Sequence, residues 1–408
     1  MCTRSSMADV IVIGGGAAGM MAAITAARNG RRVTLLEPER DCGRKLRITG
    51  KGRCNVTNAC DCPEFLKSVL AGSRFLRPSL YRFTPWDAMS FFEELGVELK
   101  VERGDRVFPV SDRAQDVVDA LRRELSRQGV QVLRRRALEI CTADGAVTGV
   151  RTAEGLLAGS RVILCTGGLS YPATGSTGDG YAMAKALGHT VTPLQPSLVP
   201  LEAGPDCEEL QGLSLRNVTL TAYGGSRVIY KELGEMLFTH YGVSGPLVLS
   251  ASVHMRSEGP YSLSIDLKPG LSPEKLDERL LRDFGENRNR CFRNALDALL
   301  PQKLIPVIIR RSGIDPDTRV NAITRGQRLA LGELIKGFEL SVYGFRPIAE
   351  AIVTAGGIDV SEVDPRSMES RLVQGLHFAG EVLDIDGYTG GFNLQIAWCT
   401  AVCAGGAV

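Results

Sequence analysis

Residues 8–13, ADVIVI, form a short apolar run rich in β-branched side chains, which predicts a buried parallel strand. GGGAAG follows. The next segment, MMAAITAARNG, predicts a helix closed by Gly30. Residues 31–37, RRVTLLE, predict a second strand, so the chain opens as a βαβ unit. Residues 61–130 predict mixed helical segments. One of them, VVDALRRELSRQG (117–129), has the spacing of an amphipathic helix ended by Gly129. VQVLRRRALEI and the residues after it predict strands and hairpins that close on a buried strand, RVILCTGG (161–168).

The pattern changes near residue 190. PLQPSLVPLEAGP is proline-rich and predicts a crossover out of the first domain. Residues 215–267 alternate as antiparallel strands do. Residues 273–340 are helical and charged, with no strand signal until SVYGF. AIVTAGGID (351–359) and GLHFAGEVLD (375–384) again predict strands, and NLQIAWCTAVCAGG (393–406) a closing helix. The architecture that fits is α/β: a doubly wound Rossmann-like domain built from both chain ends, with a β-barrel-like and then helical insertion between them. The expected boundaries are 7–190 and 346–408 for the Rossmann-like domain and 191–345 for the insertion, β-rich over 191–270 and helical over 271–345.

Composition changes this picture little. Lys and Arg number 48 and Asp and Glu 46, so a net charge of +2 announces no polyanion partner. Three local basic clusters stand out: Arg44, Lys45, Arg47, Lys51 and Arg53; Arg134, Arg135 and Arg136; and Arg288, Arg290, Arg293, Arg310 and Arg311. The 11 cysteines are odd in number and include no CxxC, which predicts reduced thiols in a cytoplasmic protein and no metal site. Residues 10–27 are uncharged, but their glycines punctuate a strand and a helix, so neither an export signal nor a membrane span is expected. Residues 1–6 are expected to be a loose leader.

The chemistry begins at Gly14-x-Gly16-x-x-Gly19. These glycines allow a tight turn, close backbone approach to a pyrophosphate and tight helix–strand packing, and the helix N-terminus offers an anion site. Glu37 ends the second strand, where it can accept both hydroxyls of an adenosine ribose and repel a 2′-phosphate. That suits FAD or NAD over NADP. The chain's end favours FAD. A strand, Gly380-Glu381, Asp384, Gly390-Gly391 and a helix near Asn393 suit the far end of a long cofactor.

Together the runs GRKLRITGKGRCNVTN (43–58), GGLSYPATGSTGDGYAMAKALGH (167–189), GEMLFTHYGVSGP (234–246), VTAGGI (353–358) and FAGEVLDIDGYTGGFNLQ (378–395) resemble the HI0933-like family of bacterial FAD-dependent oxidoreductases over nearly the whole chain. The chain is more distantly similar to fumarate-reductase flavoproteins. The family resemblance implies FAD contacts at Gly14, Gly16, Ala18, Gly19, Glu37, Lys45, Arg53, Cys54, Asn55, Thr166, Gly167, Gly380, Glu381, Asn393 and Leu394. Lys51 departs from it, standing where relatives carry glycine or another small residue.

Cys54 and Cys60 raise the question of a redox-active pair. Five residues separate them, where flavin disulfide reductases need four, and only Cys54 belongs to the family motif, so it is expected to pack near the flavin. Lys45 and Arg53 are expected to place cationic charge at the flavin and raise its potential. His240 and Tyr171 are the candidate proton donors, whereas His189 and His377 read as structural. The expected activity is reduction of an activated C=C bond in a small conjugated, steroid-like enone. Non-covalent FAD would supply hydride to the β-carbon, a side-chain acid would protonate the α-carbon, and NADH or NADPH would be a transient donor. The resemblance implies two alternatives: a dihydrouridine synthase acting on ribosomal RNA and an oxygen-using amine oxidase.

Overall fold

The computed structural model describes residues 8–255 and 259–408. The leader expected at residues 1–6 lies outside them. Residues up to Ser197 together with Ile348–Val408 form one compact unit, and Leu198–Pro347 form a second.

The first unit is built on five parallel strands in the order Leu376–Phe378, Val162–Leu164, Val10–Ile13, Val33–Leu36, Gln131–Leu133. The first four are buried along their whole length, and their β-branched and large apolar side chains are sandwiched on both faces. The last is an edge strand with two of its three residues exposed. Its outermost opposite neighbour comes from the far end of the sequence, so the doubly wound sheet needs both chain ends.

Helix Ala17–Arg28 packs against the C-terminal helix Phe392–Ala407. The C-terminal helix has no polar face, as a helix buried all round requires, and its few polar groups are satisfied inside. Gln395 donates to the Phe83 carbonyl at 2.8 Å and accepts from the Thr57 hydroxyl at 2.8 Å. Trp398 Nε1 donates to the Val56 carbonyl at 2.9 Å. A Cβ at Gly405 would lie 2.5 Å from the Ala22 carbonyl oxygen, so only glycine allows this crossing. Helix Ala114–Arg127 joins the same layer through Glu124, whose side chain is 2% exposed and bridges Arg28 and Arg127. Those guanidinium partners hold its carboxyl down to about 2 against the opposing effect of burial.

The second unit contains a closed six-stranded barrel, ordered Leu201–Ala203, Gly242–Ser244, Arg227–Thr239, Ser214–Gly224, Tyr261–Asp266, Phe338–Phe345, with the last strand pairing back on the first. Closure removes the exposed edges that a six-stranded sheet would otherwise present. Helices Pro273–Glu286, Ile305–Ser312 and Arg325–Lys336 contribute to the same core, which holds Phe238, Phe292, Phe338 and Leu331. Ser272 and Thr324 cap two of these helices, the second in a reciprocal box with Gln327.

Three elements depart from the sequence reading. The mixed helical stretch also holds strands Leu99–Glu102 and Arg106–Pro109, which join Thr57–Asn58 just before it in a three-stranded antiparallel sheet. Its Leu99–Glu102 strand is half-exposed and charged, so it carries no buried-strand signal. The last barrel strand starts at Phe338, ahead of SVYGF, where Phe338 pairs with Ile265. The strands expected over 351–359 and 375–384 shorten to Val353–Ala355 and Leu376–Phe378, because positive-φ glycines at 356, 357 and 380 turn the chain away.

Candidate cofactor site

The three fingerprint glycines sit where the first strand ends and helix Ala17–Arg28 begins, and each has a separate task. Gly14 has φ +101°, and a Cβ there would press on the backbone of Cys165 and Thr166. Gly19 lies so close beneath this turn that a Cβ would overlap the Gly14 carbonyl oxygen. Gly16, the residue before the helix, faces open space, with nothing within 4 Å of where its Cβ would be. Two glycines are therefore demanded by the protein's own packing, and the third leaves room for a pyrophosphate against the free N–H groups of a 12-residue helix.

Glu37 lies under the same turn. Its carboxylate accepts from Gly15 N at 2.7 Å and from Glu39 N at 2.9 Å. Burial nevertheless pushes its carboxyl above the usual range. Both oxygens are held by backbone N–H groups, so the carboxylate is fixed in place.

Strand Val162–Leu164 lies beside the first strand and Leu376–Phe378 beside it in turn, and their carboxyl ends deliver Thr166-Gly167 and Gly380-Glu381 to the same edge of the sheet as Gly14. This is where open α/β sheets bind ligands. A Cβ at Gly380, φ +77°, would lie 2.7 Å from the Ala18 Cβ, so the fingerprint helix and the C-terminal motif touch. Thr166 Oγ1 and Asn55 Oδ1 are buried polar atoms without a protein partner. Such orphans are rare inside proteins. Together with the open space at Gly16, they fit an extended dinucleotide with polar groups along its length. Asn393 bonds instead to its own chain, accepting from Gly387 N at 2.9 Å and donating to the Gly387 carbonyl at 2.7 Å. It thereby shapes the Gly390-Gly391 approach to the C-terminal helix, while Leu394 packs on the core.

The cations expected to place charge at the flavin are ion-paired. Lys45 Nζ donates to Glu381 Oε2 at 2.7 Å and to Ser170 Oγ at 2.6 Å. Arg53 binds Glu102 and Asp112 and stacks over Phe108 at 4.1 Å. Arg44 pairs with Glu39 and Arg47 with Asp41, which leaves Lys51 alone of the first cluster without an ion pair among the described residues. Lys51 also has φ +58° between Gly50 at +57° and Gly52 at +85°. That left-handed conformation costs a lysine roughly 1 kcal/mol over glycine.

Cys54 is fully buried, also at positive φ, and burial pushes its thiol up to about 12. Burial thus disfavours the thiolate that a charge-transfer or attacking sulfur needs. Cys60 is a free thiol raised to about 11, chiefly by burial. Cys60→Ser is expected to leave flavin reduction and turnover within about twofold of wild type; a long-wavelength thiolate–flavin band in the wild type, lost in the variant, would revive the disulfide-reductase reading.

Tyr171, with φ +53°, opens a short turn at Pro172–Thr174 in the first unit. His240 is in the second unit, exposed at the two-residue tip between strands Arg227–Thr239 and Gly242–Ser244. His189 and His377 are buried. His189 is held by Glu362 at 2.9 Å and Ser370 at 2.8 Å, and His377 Nδ1 lies 3.0 Å from the Ser367 carbonyl oxygen. The Glu–His–Ser chain has the order of a hydrolytic triad, but Ser370 Oγ already accepts from the N–H groups of Leu372 and Val373 and is buried. Burial depresses both imidazoles below their ordinary value. The folded chain then binds fewer protons than the unfolded chain, so this stability is present above about pH 6.5 and drains as pH falls below it. Urea midpoints should drop between pH 7.5 and 5.5, and His377→Gln should flatten that slope; an unchanged slope would show that His377 does not drive it.

Sequence reasoning missed Ser170, Thr354 and Tyr181. The Thr354 hydroxyl accepts from Leu169 N at 2.8 Å, its own N–H donates to Glu381 Oε1 at 2.9 Å, and Tyr181 donates to the Glu381 carbonyl at 3.3 Å. The doublet Gly167-Gly168 was the available signal, since a Cβ at Gly168 would collide with Thr354 and come within 2.9 Å of Glu381.

Residues 8–407 match the family described as HI0933-like protein Rossmann domain. The chain is 34% identical to a 3-dehydro-bile acid delta(4,6)-reductase of Clostridium scindens, with 97% of each chain covered. It is also 34% identical to a ribosomal RNA dihydrouridine synthase of Escherichia coli, again over 97% of each. Among solved structures, a 3-ketosteroid-Δ4-(5α)-dehydrogenase of Rhodococcus jostii shares the fold, with a TM-score of 0.55 at 16% identity over 100% of this chain and 98% of that one. No helix among the described residues is long and apolar enough to cross a membrane. With that family model spanning residues 8–407 and two relatives 34% identical over nearly their full lengths, the chain belongs to the HI0933-like family of flavoprotein oxidoreductases.

Proposed function

We propose that the protein uses non-covalent FAD and NADH or NADPH to reduce an activated C=C bond in a small conjugated substrate of the steroid-like enone class. One observation carries the reading. The bile acid reductase and the dihydrouridine synthase, equally similar to this chain over their full lengths, have names that describe the same transformation: saturation of a C=C conjugated to a carbonyl. When bound, the flavin supplies hydride-transfer chemistry.

The chain's residues hold and shape that site. Gly16 and the first helix turn bind pyrophosphate, Glu37 binds the adenosine ribose, and Asn55 and Thr166 offer their unpartnered oxygens to the cofactor. His240 holds the proton for the substrate's α-carbon, with Tyr171 the second candidate. The chain has a single dinucleotide fingerprint, so the nicotinamide donor binds transiently where substrate later binds, and ping-pong kinetics follow.

Ribosomal RNA is the second reading. Arg288 and Arg290 favour it: both are exposed and without an ion pair among the described residues, whereas Arg293 is held by Asp317, and Arg310 and Arg311 by Asp206. Anaerobic reduction by NADH and NADPH, followed in separate samples by air, a 3-oxo-Δ4,6 bile acid and ribosomal RNA fragments, separates the readings. Reoxidation by the bile acid with saturation of its alkene supports the proposal, and reoxidation by oxygen alone with an amine as reductant overturns it. RNA reduction whose binding loses about one unit of salt slope for each phosphate contact removed by Arg288→Ala and Arg290→Ala would transfer the activity to RNA.

A further inference from the structure

We infer that Glu381 is the built-in counter-ion of Lys45, and that the pair, rather than the lysine alone, sets the charge the protein presents to the flavin. The inference rests on the FAD reading above. Four separate chain segments converge to make the pair. Helix Arg44–Ile48 brings Lys45, the turn after strand Leu376–Phe378 brings Glu381, strand Val353–Ala355 brings Thr354, and the loop after strand Val162–Leu164 brings Ser170.

Both carboxylate oxygens are fixed. Glu381 Oε2 accepts from Lys45 Nζ at 2.7 Å, and Oε1 accepts from Thr354 N at 2.9 Å and Ser170 Oγ at 3.0 Å. Ser170 Oγ also accepts from Lys45 Nζ at 2.6 Å, so one hydroxyl bridges cation and anion. The side chains of Lys45 and Glu381 are only 21% and 20% exposed, so salt and water screen them weakly. The surroundings are cut to fit this arrangement, since a methyl at Gly168 would strike both Thr354 and Glu381.

Position makes the pair relevant to the cofactor. Glu381 follows Gly380 at the carboxyl end of a strand two places from the first strand, and Gly380 lies against Ala18 in the first turn of the fingerprint helix. A bare ammonium there would favour the anionic reduced flavin strongly. A carboxylate fixed 2.7 Å away turns that monopole into a short dipole, whose field falls off faster with distance. Glu381 is thus a positioning and charge-balancing residue. Its effect reaches the flavin through Lys45 and is read as a redox potential.

The test is the midpoint potential of the bound flavin, measured anaerobically against a reference dye in the full-length holoprotein. Glu381→Gln uncovers the lysine and is expected to shift the potential upward. Lys45→Met uncovers the carboxylate and is expected to shift it downward. The double variant restores neutrality and is expected to return close to wild type. Opposite signs that cancel are a signature that loss of packing does not produce. Shifts of the same sign, or no shift in either single variant, overturn the inference. If Glu381→Gln does not retain flavin, Lys45→Met still decides: a lower potential supports the pair, and an unchanged one overturns it. A wild-type chain that binds no flavin after reconstitution overturns the cofactor reading itself, before any variant is compared.

Discussion

His240→Ala is expected to lower substrate turnover by about 100- to 10,000-fold while leaving reduction of the flavin by NADH or NADPH near wild type, the range over which a positioned general acid contributes. The two half-reactions are separable by anaerobic rapid mixing. His240 is suited to such a test because the fold does not depend on it. Its imidazole is exposed at a two-residue hairpin tip, in edge-to-face contact with Tyr241 at 4.9 Å. Tyr241 is anchored: Arg346 lies over its ring at 4.5 Å and is itself bound to Glu202 at 3.0 Å. Removing the imidazole therefore leaves the tip's anchoring in place. Close positions behind it admit only glycine, since a Cβ at Gly245 would lie 3.0 Å from the Met236 Cα. Equal losses in both half-reactions would mark His240 as structural and move the proton donor's role to Tyr171. Retained turnover in His240→Ala with loss in Tyr171→Phe would do the same.

What the sequence discloses follows from how local each signal is. The βαβ opening was legible because a strand, three glycines, a helix and Glu37 lie in one short run whose periodicities differ from their neighbours. The C-terminal helix was legible for the same reason, and its bounds differ from expectation by one residue at each end. Of the barrel strands, Ser214–Gly224, Arg227–Thr239 and Tyr261–Asp266 were legible as alternation, whereas Leu201–Ala203 lies in the proline-rich run that reads as a crossover. The charge state of the site was not legible. Lys45 reads as part of a basic cluster, yet its partner lies 336 residues away, and the acids that neutralise Arg53 lie 49 and 59 residues on. Composition in a local window cannot reveal such pairings, and Lys51, without an ion pair among the described residues, looks identical to paired Lys45 until the fold brings the acids in. The orphaned oxygens of Asn55 and Thr166 were equally hidden, because an unsatisfied polar atom is a property of packing. The strand Leu99–Glu102 escaped because half-exposed, charged strands at the margin of a fold lack both hydrophobic alternation and a buried run.

Gly16→Ala and Gly19→Ala are expected to fail in different ways, although both alter the same fingerprint. At Gly19 the new methyl would overlap the Gly14 carbonyl oxygen, which is backbone and cannot rotate away. Helix Ala17–Arg28 would have to lift from the first strand, and that helix also carries the packing against Phe392–Ala407. Overpacking at such a junction costs about 1–3 kcal/mol or more, so Gly19→Ala should lower the urea midpoint even in apoprotein and lose flavin as a consequence. At Gly16 the methyl meets no protein atom within 4 Å, and the backbone, at φ −76°, is in a region any residue adopts. The apoprotein should therefore unfold at the wild-type urea concentration. A pyrophosphate seated against the helix N-terminus would nevertheless need the space the methyl takes, so FAD affinity should fall by about 10- to 100-fold, equivalent to about 1.4–2.8 kcal/mol. Apoprotein denaturation and flavin titration on the two variants give four numbers, and the decisive one is flavin affinity in Gly16→Ala. Wild-type affinity there would mean that the dinucleotide does not approach the turn that the sequence and the packing reserve for it, and the site would have to be moved elsewhere along the sheet's carboxyl edge.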